Sequence, residues 1–343
     1  MKKLHTLLLL AATAFLGSCK NDEWVFPDFE YTTVYFAYQS PVRTITLGED
    51  LYDTSLDNAR KCKIMATKGG AYTNKTDITV DINVDNSLCD RLSFGANGQK
   101  VLPMPANYYS LAANQIVIPK GSITGGVEVQ LTDAFFADPA AIKNTYVIPV
   151  VMSKVQNADS LLRGKTTLAS PRRTVGSDWD ITPKDYILYA VKYVNPWHAT
   201  YLRRGKDVIT GKGGNTAINK TLVRRGAYIE NGEVCNLTTR SLQQVVFTNA
   251  IKGTDGTDMP FRLIMKFDEV NHCTITTDAT NYTVKGTGQF VKRGDLKSWG
   301  NQDRDVLYLN YEVDFNNAHL TTTDTLVVRN RGVVAETFIP VYQ

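Results

Sequence analysis

The sequence predicts an all-β protein in two parts, a sandwich of short strands followed by an antiparallel barrel. Three observations carry this. Apolar and polar residues alternate with a period of two along much of the chain, and Gly, Asn, Asp and Pro clusters interrupt that alternation at short intervals. Tyrosine is abundant at 17 residues, with Thr and Val also frequent, a composition suited to pleated, half-buried surfaces.

The chain opens with Lys2 and Lys3 ahead of an apolar run over 7–16. That run is far shorter than the ~20 residues of a membrane-spanning helix, so it reads as a cleaved signal. Leu16-Gly17-Ser18-Cys19 has the form of a lipobox. The expected product is a lipoprotein: signal peptide 1–18, then a tether 19–30 held at the membrane by lipid on Cys19. Trp24 is expected in that tether or as an anchor for the first strand. No later stretch is apolar enough to cross a bilayer as a helix. The remaining chain, about 325 residues, is long for one core and implies two domains, 31–194 and 195–343.

The clearest strand is 78–84. Ile78, Val80, Ile82 and Val84 face one way, while Thr79, Asp81 and Asn83 face the other, flanked by Asp77 and Asp85. Strands at 115–118, 127–131, 146–152 and 186–194 follow. Pro149 predicts that 146–152 lies at a sheet edge, because proline cannot donate to a ladder. Residues 138–144 alone look helical, for a turn or two. A polar loop, 153–185, is long enough to suggest function or mobility. Short strands at this spacing point to an immunoglobulin-type sandwich.

After Asn195-Pro196 the pattern restarts, with strands expected at 199–202, 221–229, 243–247, 261–267, 273–277, 281–291, 306–315, 325–329 and 333–341. A sequential antiparallel meander of this length favours closure into a barrel, which removes its edges.

Net charge is +4, and the leader holds Lys2 and Lys3, so +2 remains; bulk charge gives no reason to expect a nucleic-acid partner. The basic pairs Arg172-Arg173, Arg203-Arg204 and Arg224-Arg225 read as solvated faces. Cys62, Cys89, Cys235 and Cys273 suit either one disulfide per domain or buried free thiols. None forms a CxxC pair, so no structural metal is expected.

Pro105-Ala106-Asn107-Tyr108-Tyr109-Ser110-Leu111, Ile116-Val117-Ile118-Pro119-Lys120-Gly121 and Tyr146-Val147-Ile148-Pro149-Val150 occur in a characteristic order. The first half thereby resembles the immunoglobulin-like domain at the N-terminus of many Bacteroidetes surface lipoproteins, some of them chitinase-family endoglycosidases. The second half, opening at Asn195-Pro196-Trp197-His198-Ala199-Thr200-Tyr201, resembles a calycin-like (lipocalin-like) domain of unknown function that often follows. Lys20-Asn21-Asp22-Glu23 is similar to the surface-export signal of such lipoproteins. The resemblance implies an outer-membrane, cell-surface location. It also implies capture of an oligosaccharide or polysaccharide beside a TonB-dependent transporter and its SusD-like lipoprotein. It assigns no binding residues.

No catalytic constellation, cofactor fingerprint or metal motif is recognisable in the residues. Asp77, Asp81 and Asp85 lack the spacing and the glutamate of the chitinase-type Asp-x-x-Asp-x-Asp-x-Glu. His198 reads as structural. His272 beside Cys273 lacks further ligands, and Asp303 and Asp305 are an unspecific carboxylate pair. The reading is therefore a binder and not an enzyme. Sugar rings stack on aromatics while their hydroxyls bond amides, carboxylates and arginines. Trp299 with Asn301, Gln302, Asp303 and Arg304 is the leading carbohydrate-binding candidate, the alternative being an indole folded back over the barrel mouth. Trp179 is the second candidate, against docking at the domain junction. Trp197 and Tyr201 are expected in the barrel core, and Tyr108 and Tyr109 in packing. The competing functions are a structural or adhesive surface protein and an unrecognised glycoside hydrolase.

Overall fold

The computed structural model describes residues 28–343. The signal, Cys19, Trp24 and most of the expected tether lie outside the described residues. Within them the chain is all-β and builds two sheet assemblies. Among the described residues no helix is long and apolar enough to cross a membrane.

The first assembly is a sandwich. One sheet runs Ser160–Leu161, Thr32–Tyr35, Lys61–Gly70, Thr124–Leu131, Tyr109–Leu111. The other runs Glu336–Thr337, Pro41–Thr46, Tyr186–Val194, Tyr146–Gln156, Ile78–Val84, Gln115–Ile118. Alternate residues of both sheets fill the space between them, among them Val34, Ile64, Ile78, Val129, Ile148 and Tyr193. Tyr186–Val194 is apolar on both faces except at Lys192, because a second cluster, with Leu92, Val101, Leu188 and Phe338, covers its other face. Tyr108 packs edge-on against Phe135 and Tyr146 and bonds Asp138, and Tyr109 lies against the same core. The residues around 138–144 form a short 3-10 turn, Pro139–Ile142.

Pro149 does not mark an edge. Tyr146–Gln156 is central, paired with Tyr186–Val194 on one side and Ile78–Val84 on the other. The last pair with the latter is Val150 with Val84, and the Pro149 carbonyl then accepts from the Asp85 N–H. The missing proline donor therefore falls at the last position of this pairing, where only the carbonyl half of the exchange is made and the ladder ends.

The second assembly is a closed barrel of eight antiparallel strands: Ala199–Gly211, Glu233–Ser241, Gln244–Lys252, Asp258–Phe267, His272–Thr276, Tyr282–Asp295, Arg304–Phe315 and Ala318–Asn330, the last pairing back onto the first. Ala199–Gly211 outruns its neighbour, so its second half also pairs with Lys220–Arg224. Trp197 stacks on Phe267 at 4.0 Å, and the Tyr201 hydroxyl donates to the Trp197 carbonyl, so both aromatics lie in the core.

The expected strand 333–341 is not part of the barrel. Its residues return to the sandwich, where Glu336–Thr337 pairs with Pro41–Thr46 and Pro340–Tyr342 with Leu92–Phe94. Phe338, packed against Phe94 with ring centroids 4.6 Å apart, fixes this return. The division at 195–343 therefore assigns to the barrel a tail that packs on the other body.

Candidate functional site

The junction between the two bodies is held by Arg331. Its buried guanidinium donates to the carbonyls of His198, Glu49, Leu47 and Asn195. The Asn195 amide ties two barrel segments through Ser241 and Gln244. His198 accepts a bond from the Thr239 N–H at Nδ1, and burial, with Arg331 and Lys192 nearby, lowers its pKa to about 4. It is a structural acceptor.

A cavity of about 260 Å3 opens beside this junction, and Gln302, Asp303 and Arg304 line it with Glu49, Lys292 and Arg293. Trp299 and Asn301 do not. Trp299 is folded back: its indole N–H donates to the Val328 carbonyl at 3.1 Å, and the Arg304 guanidinium lies 3.9 Å over the ring. One face of the aromatic is thereby occupied by its own loop. Trp179 is not at the junction. Its indole donates to the Arg172 carbonyl within the 153–185 loop, and Arg172 in turn covers Tyr342. The structure brings Gln302, Asp303 and Arg304 together and leaves Trp179 with a different set of neighbours.

The basic pairs are not simply solvated. Arg203 and Arg204 are consecutive on one strand and so face opposite sides, which puts Arg203 inside. Arg203 is 2% exposed and bonds Asp324 at 2.8 Å. Arg224 reaches both Asp207 and Asp324, Tyr311 bonds Asp324, and Thr322 bonds Asp207. Burial raises the Asp324 carboxyl above the ordinary range despite its two arginines. Burial also opposes Asp207, yet the bonds from Arg224 and Thr322 hold it low. Arg173 likewise pairs with the fully buried Asp185.

The outer wall of the same strands carries a second pattern. Following the register, Lys266 opposes Thr274, Thr274 opposes Thr287, Thr287 opposes Asn310, Asn310 opposes Thr323, and Thr323 opposes Lys206. Two residues along, His272, Gln289, Tyr308, Thr325 and Arg204 form a parallel row. These rows line an open groove of about 590 Å3. It continues past Thr323 and Thr325 into a second recess beside Arg204, Lys206 and Arg225. Gly286 and Gly288 face inward beneath the groove. A Cβ there would lie 2.5 Å from Tyr311 and 2.6 Å from Leu309, so this strand presses into the barrel where no side chain holds it out. Tyr308 is 42% exposed at the centre, between the amides of Gln289 and Asn310.

The sequence held a signal for this surface, the polar half of each alternating strand, but only the strand register shows which polar residues are neighbours. Cys62, Cys89, Cys235 and Cys273 are free and buried, and burial pushes each thiol up to about 12. His319 bonds Asp314 away from the groove, and Asp85 caps the turn Asn86–Cys89.

Comparison with known proteins divides the chain similarly. Residues 196–332 match the family model of a domain of unknown function, DUF5627, and residues 29–159 match the model of an N-terminal domain. A Bacteroides ovatus protein of unknown function, solved at 2.40 Å, is 45% identical, with 92% of this chain and 100% of that one covered at a TM-score of 0.87. A second Bacteroides ovatus structure of unknown function is 12% identical, covering 90% of this chain and 99% of that one at a TM-score of 0.40. A third, a candidate carbohydrate binding protein from Bacteroides ovatus ATCC 8483, is 13% identical over 82% of this chain and 64% of that one, with a TM-score of 0.25. The last two likenesses are too low to argue from. No curated protein matches the chain.

Proposed function

The chain belongs to the family of the 45%-identical Bacteroides ovatus protein, and on that footing we propose that it is a non-catalytic, lipid-anchored surface protein that captures glycan. One observation carries the reading: the two register-aligned polar rows on the barrel wall, with Tyr308 exposed between Gln289 and Asn310. A ring face for sugar C–H groups, planar amides and a run of hydroxyls for sugar hydroxyls form the inventory that saccharide recognition requires. This site replaces Trp299 as the centre of the reading, because that ring is covered by Arg304.

Binding is favoured over turnover by what the groove carboxylates do. Glycoside hydrolysis uses two carboxyls about 5–9.5 Å apart on either side of the bond. Asp268 stands at the rim, bonded to the Val270 and His272 N–H groups. Asp324 turns its oxygens inward to Arg203, Arg224 and Tyr311. In this reading lipid on Cys19 holds the protein at the outer membrane. The sandwich raises the barrel above the surface, and captured oligosaccharide passes to a TonB-dependent transporter with its SusD-like lipoprotein. Local concentration at the membrane offsets weak intrinsic affinity.

The test is a glycan array with wild type, Tyr308→Ala and Trp299→Ala side by side. Binding lost in Tyr308→Ala and retained in Trp299→Ala supports capture on the barrel wall. Loss only in Trp299→Ala returns the site to the loop. Released product would make the protein a hydrolase, and silence across the array would favour an adhesive or structural role.

A further inference from the structure

We infer that the glycan captured on the barrel wall is acidic, bearing carboxylate or sulfate groups; this rests on the capture reading above. The polar rows have a charge asymmetry that neutral-sugar binding does not require. At one end of the first row stands Lys266, at the other Lys206, with only Thr274, Thr287, Asn310 and Thr323 between them. Five inter-strand steps of ~4.8 Å separate the two lysines by roughly 24 Å along the wall, room for a short oligosaccharide. Arg225 lies beside Lys206 in the second recess, and Arg204 ends the second row.

These charges differ from the arginines a residue away. Arg203 and Arg224 are consumed by Asp207, Asp324 and Glu233 inside the barrel. Arg204 is paired with Asp295. Among the described residues, no carboxylate oxygen comes within 4.0 Å of the Lys206, Arg225 or Lys266 charges. The groove and recess together hold two carboxylates, Asp324 turned inward and Asp268 at the rim near His272. An extended ligand lying along the rows would therefore meet uncompensated positive charge at the Lys206 and Arg225 end, Lys266 with Asp268 beside it at the other, and uncharged hydrogen-bonding groups between. Carboxylates or sulfates spaced along a sugar chain match that layout, and their attraction would weaken as salt screens it.

The test compares matched pairs of one backbone: polygalacturonate with its methyl ester, and a sulfated galactan with its unsulfated counterpart. The full-length protein is measured as wild type, as Lys206→Gln/Arg225→Gln and as Tyr308→Ala. At least tenfold tighter binding to an acidic member is expected, falling with salt. The Lys206→Gln/Arg225→Gln variant should lose at least tenfold on the acidic member and clearly less on its neutral counterpart. Equal affinity for both members of each pair, or binding confined to neutral glycans, overturns the acidic class and leaves capture standing. Binding that is acid-selective but unchanged in the double variant overturns the placement of the acidic glycan on this wall. Silence of every glycan, acidic and neutral, removes the capture reading as well.

Discussion

Arg203 and Arg204 are adjacent on one strand, and the barrel gives them opposite work. Arg203 points in and is locked to Asp324, Glu233 and Tyr311. Arg204 points out, half-exposed and paired with Asp295, beside a surface of threonines, amides and a tyrosine whose side chains face water. The same contrast runs along the neighbouring strand, where Thr322 and Asp324 face in while Thr323 and Thr325 face out. Inside, each charged side chain of this network has a fixed partner of opposite charge, because an unpartnered charge in a low-dielectric interior is costly. Outside, water satisfies the same chemistry, so those groups remain open to a ligand. The difference teaches that polarity inside this barrel is architecture, and polarity on its wall is available for recognition.

The sharpest way to break the comparison is to remove one partner from each side. Asp324→Ala removes the carboxylate that two interior arginines share and should cost about 3–5 kcal/mol, whereas Thr323→Ala on the wall should stay within about 0.5 kcal/mol. Urea melts of the two variants check this. Comparable losses would mean that the interior network is solvated and the contrast false. At the junction, Arg331→Ala leaves four carbonyls without their shared donor and should cost about 2–3 kcal/mol. Protease cutting near Asn195 should then accelerate, a result that a purely local effect would not produce.

The pH dependence is smaller and has a definite sign. His198 titrates at about 4 in the folded protein, below the usual value near 6.5. Between those values the unfolded chain binds the extra proton, so this stabilisation is complete above pH 6.5 and is lost as pH falls towards 4. The contribution should be about 1–3 kcal/mol, read as the difference in pH slope between wild type and His198→Gln. Parallel slopes would show that His198 charges as readily when folded.

The same alternation explains what the sequence did and did not reveal. Ile78–Val84 and Tyr186–Val194 were legible to the residue, since their apolar faces are unbroken. Ala199–Gly211 was legible only at its start, because Arg203, Gly205 and Asp207 continue the inner face with residues that read as polar. Ala318–Asn330 was legible only over 325–329, its first half hidden for the same reason by Thr322 and Asp324. Glu233–Ser241 went unread because only Cys235 and Leu237 mark its inner face. Of the candidate site, the residues of Trp299's loop were visible as a polar aromatic cluster. The groove was not, since cross-strand neighbours such as Tyr308 and Thr325 are distant in sequence or carry no local motif.

The smallest stability effect is the most informative for function. Tyr308 is an exposed ring on the wall, so Tyr308→Ala should change stability by less than about 0.5 kcal/mol while removing glycan binding. Trp299 is the reverse case. Its indole bond to Val328 and its stacking with Arg304 tie the loop to the barrel, so Trp299→Ala should cost about 1–2 kcal/mol. Its affinity for the same glycan should stay within twofold. Paired urea melts and titrations of the two variants separate the roles. If Trp299→Ala loses affinity in proportion to stability, the loop shapes the groove from a distance. If it loses affinity alone, the loop itself touches the sugar, and the open wall is not where recognition happens.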